Sequence, residues 1–383
     1  MRPGMCALVF AAVMLPRPAA SQPSRAATVY REQWHLDTAQ SPLHTPRSLA
    51  ITGACELWFA DARAGVFRLG CAGGTPTRFG AVGRGDQDYQ TPWVVAAVGA
   101  DSVALFDRTL ERVNVYATAS GHGRSTPARL PETAFGLVKA MSLAGGAPLF
   151  WTMQYPNVTD PAALHSYVTR LASDGVPAET LAMFDGLPSV YWGSSFSGSH
   201  LGLPHQRRPV VVFLRSGGFV VGNTDNATIV VHDRTGAEVR TLTLDLPAAA
   251  ALSRADRDAY ADSVRKSADA EMDALHYNQP ERKQYRAQLD TYLSEDVTYP
   301  DKRQRYDALV VDVADASLWV LLPGSGKSYT RTWEAYSLAD GSMQQRVAVP
   351  HKGAVVDAQV RDGAIYAIEQ ALAGPMRVAK YAR

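Results

Sequence analysis

The feature that most constrains the fold is a short apolar run that recurs along the chain at a nearly constant interval. Three copies begin at Leu57, Val103 and Leu149, 46 residues apart, and two more begin at Leu318 and Ile365, 47 residues apart. Each copy follows another apolar segment and precedes one in which apolar and polar residues alternate. Strands joined by turns give this pattern, and the interval matches one propeller blade of roughly 40–50 residues. The repeat therefore predicts an all-β, six-bladed β-propeller.

The sixth copy begins at Phe219, and the wide gaps on either side of it must hold insertions. The last copy has no fourth strand after it, so we expect residues 28–36 to supply that strand and close the ring. An open ring would leave a sheet edge and an apolar blade face exposed. The predicted blades lie near residues 47–80, 92–131, 135–185, 208–247, 306–350 and 354–383.

Residues 250–295 interrupt the repeat with a stretch rich in Ala, Asp, Arg, Lys and Glu. Tyr260, Val264, Ala268 and Met272 recur every four residues, which predicts a helix with one apolar stripe. Pro280 is suited to the first turn of a second helix. We therefore predict an α-helical hairpin inserted between the fourth and fifth blades, on the side of the ring where strand four of one blade leads to strand one of the next.

Residues 1–22 have the pattern of an export signal. Arg2 precedes an apolar run from Cys6 to Leu15, and the small residues Ala19 to Ser21 suit cleavage. The run is shorter than the roughly 20 residues that span a bilayer, and no later segment is long and apolar enough to do so. A buried N-terminal helix is the alternative. The pattern predicts a periplasmic or secreted protein with no transmembrane segment.

Cys55 and Cys71 are the two cysteines that follow the predicted signal. If the segment between them is a hairpin turning near Arg63, Phe59 faces Phe67 and the two cysteines stand opposite each other. Opposed residues on antiparallel strands lie about 4.5–5.5 Å apart at Cα, a distance that a disulfide can bridge. Oxidation is also expected in an exported protein. We predict a Cys55–Cys71 disulfide, with two free buried thiols as the alternative.

The stretch from Phe79 to Ala96 resembles the linker between NHL-type repeats. It has Phe-Gly, a Gly-rich turn, an acidic–aromatic pair at Asp88 and Tyr89, and Pro92 opening the next inner strand. The overall plan is similar to exported bacterial six-bladed propellers of the NHL and TolB-like kind. The resemblance implies fold and compartment; such propellers include binding modules, structural proteins and a minority of enzymes, so activity does not transfer.

Composition and motifs narrow the function further. A formal net charge of +1 argues against nucleic acid as a partner. His200 and His205 share one loop but lack a nearby third ligand, so we predict neither a metal site nor a cofactor. The lyases related to this family carry metal-binding histidines around the channel, whereas no His occurs in the six predicted inner strands. No catalytic residue set is identified, and whether the protein is an enzyme stays open.

A ligand would sit at one end of the axial channel, which we call the channel mouth. The loops from strand four to the next strand one, and from strand two to strand three, meet there, and pockets form among such loops. Asp107 and its counterpart Asp61 have an alternative role as caps of local turns. The candidate ligand-binding residues are Arg84, Asp86, Tyr89, Trp93, Asp107, Arg108, Tyr155, Trp192, His200, His205, Asp225 and Glu369.

Three functions compete on this evidence. The first is a non-catalytic binding module for a peptide, a glycan or an envelope protein, which we expect to be a monomer. The second is a periplasmic hydrolase or lyase that uses the same channel mouth, with the helical hairpin as a lid. The third is a structural protein of an envelope assembly, with the hairpin as its docking surface. A hairpin that is only a packed decoration is the alternative to both roles.

Overall fold

The computed structural model describes residues 26–383 with the exception of short internal gaps. The predicted export signal lies outside the described residues, as does Tyr155. The side chains of the segment around Trp192 and His200 are not described either. The gaps are residues 122, 131–137, 144–145, 154–164, 186–188, 195–196, 203–204, 275–276, 298, 325–329 and 372–374.

Six antiparallel sheets are arranged in a ring, which confirms the predicted six-bladed β-propeller. The inner strands of successive blades contact one another around the ring, and that of blade 6 contacts that of blade 1. From the axis outward, the strands of blades 1 to 3 are Pro46–Ile51, Glu56–Asp61, Gly65–Gly70 and Thr77–Phe79; Pro92–Val98, Ser102–Asp107, Arg112–Ala117 and Gly123–Pro127; and Val138–Ser142, Leu149–Met153, His165–Leu171 and Pro177–Asp185.

Blades 4 to 6 follow the same order, and a two-stranded ribbon, Ser189–Ser194 with Ser197–Gly202, lies between blades 3 and 4. The strands of blades 4 to 6 are Pro209–Phe213, Phe219–Asn223, Thr228–His232 and Glu238–Thr243; Ala308–Val311, Ser317–Leu321, Thr330–Ser337 and Met343–Pro350; and Ala354–Arg361, Ala364–Gln370, Met376–Ala382 and Arg31–Asp37.

The blades hold together because each buries both of its apolar faces against its neighbours. In the second strands of blades 1 and 2, every residue but the first is buried, so these strands form continuous apolar runs. Outer strands such as Glu238–Thr243 are mostly exposed. Within the described residues, each junction between neighbouring blades contains its own buried apolar cluster. Removing one blade would therefore expose two apolar faces.

The N-terminal strand closes the ring as predicted. Arg31–Asp37 pairs antiparallel with Met376–Ala382 and forms the outer strand of blade 6. Arg377 Nη2 lies 2.6 Å from Glu32 Oε2 across this pair. The segment just before it adds an attachment that the sequence did not predict, because Thr28–Val29 pairs in parallel with the outer strand of blade 5. The N-terminal segment thus fastens blade 5 to blade 6.

Cys55 and Cys71 form the predicted disulfide, with Cα atoms 5.4 Å apart. The register is also the predicted one, since Leu57 pairs with Leu69 and Phe59 with Phe67. The bridge fixes the ends of a hairpin whose strands lie in the apolar cluster between blades 1 and 6.

The insertion between blades 4 and 5 is a helical hairpin made of α1, Arg254–Ala274, and α2, Gln279–Thr291. A one-turn π-helix, Tyr292–Asp296, extends α2. The apolar stripe packs inside the hairpin, where Ala268, Leu289 and Tyr292 form a small core. Three ion pairs also link the helices: Arg265–Asp290, Arg282–Asp273 and Arg286–Asp269.

The base of the hairpin lies beside the channel mouth. Residues on its two connections pair with each other at Ala251 and Lys302. Arg303 binds the carboxylate of Asp256 in the first turn of α1 and donates to the carbonyl oxygen of Gly324 at 2.8 Å. The hairpin is therefore anchored just before the inner strand of blade 5. No helix in the described residues is long and apolar enough to cross a membrane.

Candidate functional site in the axial channel

The six inner strands surround a cavity of about 550 Å³ on the axis of the ring. Inner-strand residues line it throughout, and Val95, Ala140, Val212 and Val310 are among those that form its walls. Protein pockets for small molecules usually have volumes of roughly 300–1,000 Å³. The cavity is therefore of the size that holds one small molecule.

At the channel mouth two guanidinium groups lie against the indole of Trp93. The guanidinium carbons of Arg47 and Arg108 lie 4.5 Å and 5.0 Å from the ring centroid of Trp93. Trp93 Nε1 donates to the carbonyl oxygen of Val138 at 3.0 Å, which fixes the ring against blade 3. Cation–π contacts of this kind orient arginine side chains. Two cations are thereby held beside the entrance.

Two further cations, Lys139 and Arg208, line the channel mouth. Burial lowers the pKa of Lys139, and the nearby charges of Arg208 and Arg47 lower it further. Lys139, Arg208 and Arg47 are therefore close enough to disfavour one another's charge. Within the described part of the chain, Arg47, Arg108, Lys139 and Arg208 form no ion pair with a carboxylate.

The nearest acidic group at the channel mouth is already engaged. The carboxylate of Asp307 binds Arg331 on one oxygen and accepts from the side-chain amide of Gln304 on the other. Its carbonyl oxygen, which carries no formal charge, accepts from Arg208 Nη2 at 2.5 Å. Asp307 therefore positions Arg208 without neutralising it.

The far end of the channel is crossed by Arg215. Its side chain extends from blade 4 and donates to the carbonyl oxygens of Ile51 in blade 1 and Gly99 in blade 2. The carboxylate of Asp315 in blade 5 accepts from the backbone N–H groups of Arg215 and Ser216 at 3.0 Å and 2.8 Å. Arg215 thus spans the end of the channel opposite the mouth, and we call this end the floor.

Asp357 is a carboxyl group in the wall between the mouth and the floor. It lies at a β-bulge of the inner strand of blade 6, where the register shifts between Val355 and Asp357. Burial in the channel raises its pKa to about 7, although hydrogen bonds from the backbone N–H groups of Leu49 and Ala358 act in the opposite direction. Its charge therefore changes near neutral pH.

Three of the sequence-predicted site residues are buried inside the protein. Tyr89 packs between blades 1 and 2, and its hydroxyl group accepts from Arg78 Nε at 3.2 Å. Asp107 accepts from four backbone N–H groups, two in the loop before strand one and two in the turn after strand two. Asp61 does the same in blade 1, so both residues tie loops together, which is the alternative role considered for them.

Glu369, the third, has a fully buried side chain at the junction of blades 5 and 6. Trp333 Nε1 donates to His351 Nε2 at 2.9 Å, so His351 Nδ1 carries the proton and donates to Glu369 at 2.6 Å. Tyr381 Oη also donates to Glu369 at 2.6 Å. These contacts make Glu369 part of the ring closure rather than of the channel.

The other predicted residues are spread around the same side of the ring. Trp93 and Arg108 lie together at the channel mouth, whereas Arg84, Asp86 and Asp225 are exposed on its outer loops. His205 is half-buried, and burial, followed by the charge of Arg303, lowers its pKa. Trp192 and His200 belong to the paired ribbon, but their side chains lie outside the described part of the chain. Tyr155 also lies outside it.

Sequence reasoning missed Arg47, Lys139, Arg208, Arg215 and Asp357, because it looked for ligands in loops. A usable signal was present. Arg47 and Lys139 each occupy the second position of an inner strand, and Arg208 directly precedes one. Basic residues at the same end of three inner strands must converge on the axis of a propeller.

No protein-family model matches this chain, and no curated protein is significantly similar to it in sequence. Its fold is similar to several solved structures at low identity. Virginiamycin B lyase from Staphylococcus aureus has a TM-score of 0.43 and 8% identity, with 92% of this chain and 99% of that one covered. A member of the DUF4221 family from Bacteroides vulgatus has a TM-score of 0.44 and 10% identity, with 92% and 97% covered.

Regucalcin from Agrobacterium tumefaciens, a calcium-binding protein, has a TM-score of 0.44 and 11% identity, with 93% of this chain and 97% of that one covered. Similarities of this size carry no information about ligand or activity. The fold is established by the pairing of the strands themselves: this chain is a six-bladed β-propeller that its N-terminal strand closes.

Proposed function

We propose that this protein is an exported binding propeller that holds a small organic anion at the channel mouth. The observation that carries the proposal is the group of four cations, Arg47, Arg108, Lys139 and Arg208, which have no carboxylate partner among the described residues. Cations gathered in a concave site repel one another until a counter-charge arrives. Guanidinium groups are also the preferred partners of carboxylate and phosphate groups, which they bind through paired N–H donors.

The shape of the channel supports a small ligand. Arg215 crosses the far end of the cavity of about 550 Å³, so we expect a ligand to enter from the channel mouth. Below the cations, Val95, Ala140 and Val212 of the inner strands offer apolar surface. A ligand with an anionic group and a compact apolar body would satisfy both features.

Export is supported by two independent features. The Cys55–Cys71 disulfide is of the kind that persists in oxidising compartments. The N-terminal 22 residues have the charge, apolar run and small residues of a cleavable signal. We therefore propose a periplasmic or secreted location.

Titration of the mature protein with citrate tests the anion site, with tryptophan fluorescence and calorimetry as readouts. Removing one charge-assisted contact costs about 1.5–3 kcal/mol, so Arg47→Gln and Lys139→Gln should each weaken citrate binding roughly 10- to 100-fold. Arg254→Gln is the control, since the Arg254 side chain is 95% exposed on α1. Citrate affinity that is unchanged in both channel-mouth variants, or no binding of citrate, phosphate or hexanoate, would refute the proposal.

A further inference from the structure

The carboxyl group of Asp357 has unused hydrogen-bonding capacity inside the channel. Its Oδ2 accepts from Leu49 N at 2.7 Å, and its Oδ1 accepts from Ala358 N at 2.8 Å. Each carboxylate oxygen can accept a second donor. No Lys, Arg or His side chain lies within 4.0 Å of Asp357 in the described part of the chain. The group is therefore a buried acceptor with no counter-charge from the protein.

The charged groups on the elements packed around Asp357 have partners of their own. Glu369 binds His351, Asp307 binds Arg331, and Asp312 accepts from Ala316 N. Arg361 donates to the carbonyl oxygens of Thr52 and Gly53, Arg215 donates to those of Ile51 and Gly99, and Arg47 stacks on Trp93. Burying a carboxylate without a partner is costly, and here the cost appears as a pKa raised to about 7.

The distance between the channel mouth and Asp357 can be read from the neighbouring strand. Asp357 binds the backbone of Leu49, two residues along the inner strand from Arg47. At about 3.3 Å per residue, the backbone levels of Arg47 and Leu49 are roughly 7 Å apart along the strand, and we take this spacing as the scale of the ligand. Small apolar residues, including Ala50, Ala140 and Ala308, line the channel and suit a short hydrocarbon segment.

We infer that the ligand is a zwitterion, in which an ammonium group roughly 7 Å from the anionic group binds the carboxylate of Asp357. ω-Amino acids and the two termini of a short peptide have this chemistry. The inference depends on the proposed function, because the anionic group must occupy the channel mouth for the ammonium group to reach Asp357. Asp357 is then a specificity-determining residue that distinguishes zwitterions from plain anions.

Two probes that differ only in the ammonium group test this, namely 6-aminohexanoate and hexanoate, titrated calorimetrically into the mature wild-type protein at pH 6 and pH 8. We expect 6-aminohexanoate to bind at least about tenfold more tightly than hexanoate at pH 8, because a charge-assisted hydrogen bond is added. Its affinity should rise from pH 6 to pH 8 as Asp357 ionises. Hexanoate should show the opposite trend, because the ionised carboxylate repels it.

Asp357→Asn should abolish the difference between the probes, whereas Asp258→Asn, on the exposed side of α1, should preserve it. If hexanoate binds as tightly as 6-aminohexanoate at pH 8, the inference about Asp357 is overturned. If Arg47→Gln then weakens the binding of hexanoate, the proposed anion site is still supported. Binding of citrate but of neither probe would also overturn it. If citrate and phosphate do not bind either, the proposed function fails as well. The probe comparison uses the wild-type protein, so it does not depend on how well the Asp357→Asn variant folds.

Discussion

Replacing Glu369 with Gln should weaken the closure of the ring. The carboxylate accepts from His351 Nδ1, Tyr381 Oη and the backbone N–H of Lys352, and Arg377 Nε lies 3.5 Å away. An amide has one acceptor oxygen and one donor nitrogen, so at least one of these donors would face another donor. The positive charge of Arg377 would keep only its other partner, Glu32.

The expected cost follows from the burial of the group. Breaking a buried ion pair by removing one partner costs about 3–5 kcal/mol, and Gln retains part of the hydrogen bonding, so we expect about 3 kcal/mol. At about 2.1 cal/mol/K of unfolding entropy per residue, a chain of this length should melt roughly 4 °C lower. Glu179→Gln is the matched control, since Glu179 pairs with Arg170 on the surface and is 53% exposed. That change should cost less than about 1 kcal/mol.

The pKa of Glu369 also predicts how the difference in melting temperature between wild type and variant changes with pH. Burial raises the pKa of Glu369, but the hydrogen bond and charge of His351 and the bond from Tyr381 outweigh it, so the folded-state pKa lies below the usual value. Stabilisation by such a group is present above the unfolded pKa of about 4.3 and is lost as the pH falls through the folded pKa. The gap in melting temperature between wild type and Glu369→Gln should therefore hold from pH 8 to about pH 5 and shrink below pH 4. A variant that melts within 1 °C of wild type at pH 7, or a gap that widens in acid, would refute this reasoning.

Three further predictions concern stability. Cys55 and Cys71 are 16 residues apart, so replacing both by Ser should cost about 3 kcal/mol in chemical unfolding, and an unchanged midpoint would contradict the role given to the bridge. The raised pKa of Asp357 means that the folded protein holds this proton more tightly than the unfolded chain, so its contribution to stability should fall as the pH rises from about 4 to about 7. Asp357→Asn should remove this component from melting curves at pH 4.5 and pH 8, and an identical pH dependence in both proteins would count against it. Arg303→Gln should release the base of the hairpin and speed hydrogen exchange in α1 more than in blade 5, whereas equal rates in wild type and variant would show that Arg303 does not anchor it.

The ring and its closure were predictable because they rest on the repeat of apolar residues along the chain. Leu57 and Phe59 identify a strand and its register, since a shift by one residue would move both from the junction with blade 6 to the junction with blade 2. The second attachment of the N-terminus was not predictable. Thr28–Val29 is a two-residue parallel strand, which is too short to leave a pattern in the sequence.

The candidate site was harder to predict, because the sequence shows where a strand ends but not which way each side chain points. Asp107 and Glu369 end second strands near the mouth, as expected, yet both turn inward to bind backbone N–H groups. Asp357 faces the channel at a β-bulge, and a bulge changes the alternation without changing the composition. Arg108 lies near Trp93 because Pro92 pairs with Asp107 within blade 2, whereas Arg47 reaches Trp93 through the packing of blade 1 against blade 2.

The most direct measurement is a crystal structure of the mature protein purified from its own compartment, inspected for a molecule in the channel. We predict electron density for a small organic anion whose charged group contacts Arg47, Lys139 or Arg208, with the rest of the molecule directed toward Asp357. If crystals grown without competing anions showed only ordered water among these cations, the assignment of an anion site to the channel mouth would be contradicted. So would a co-purified ligand bound at the helical hairpin with the channel left empty.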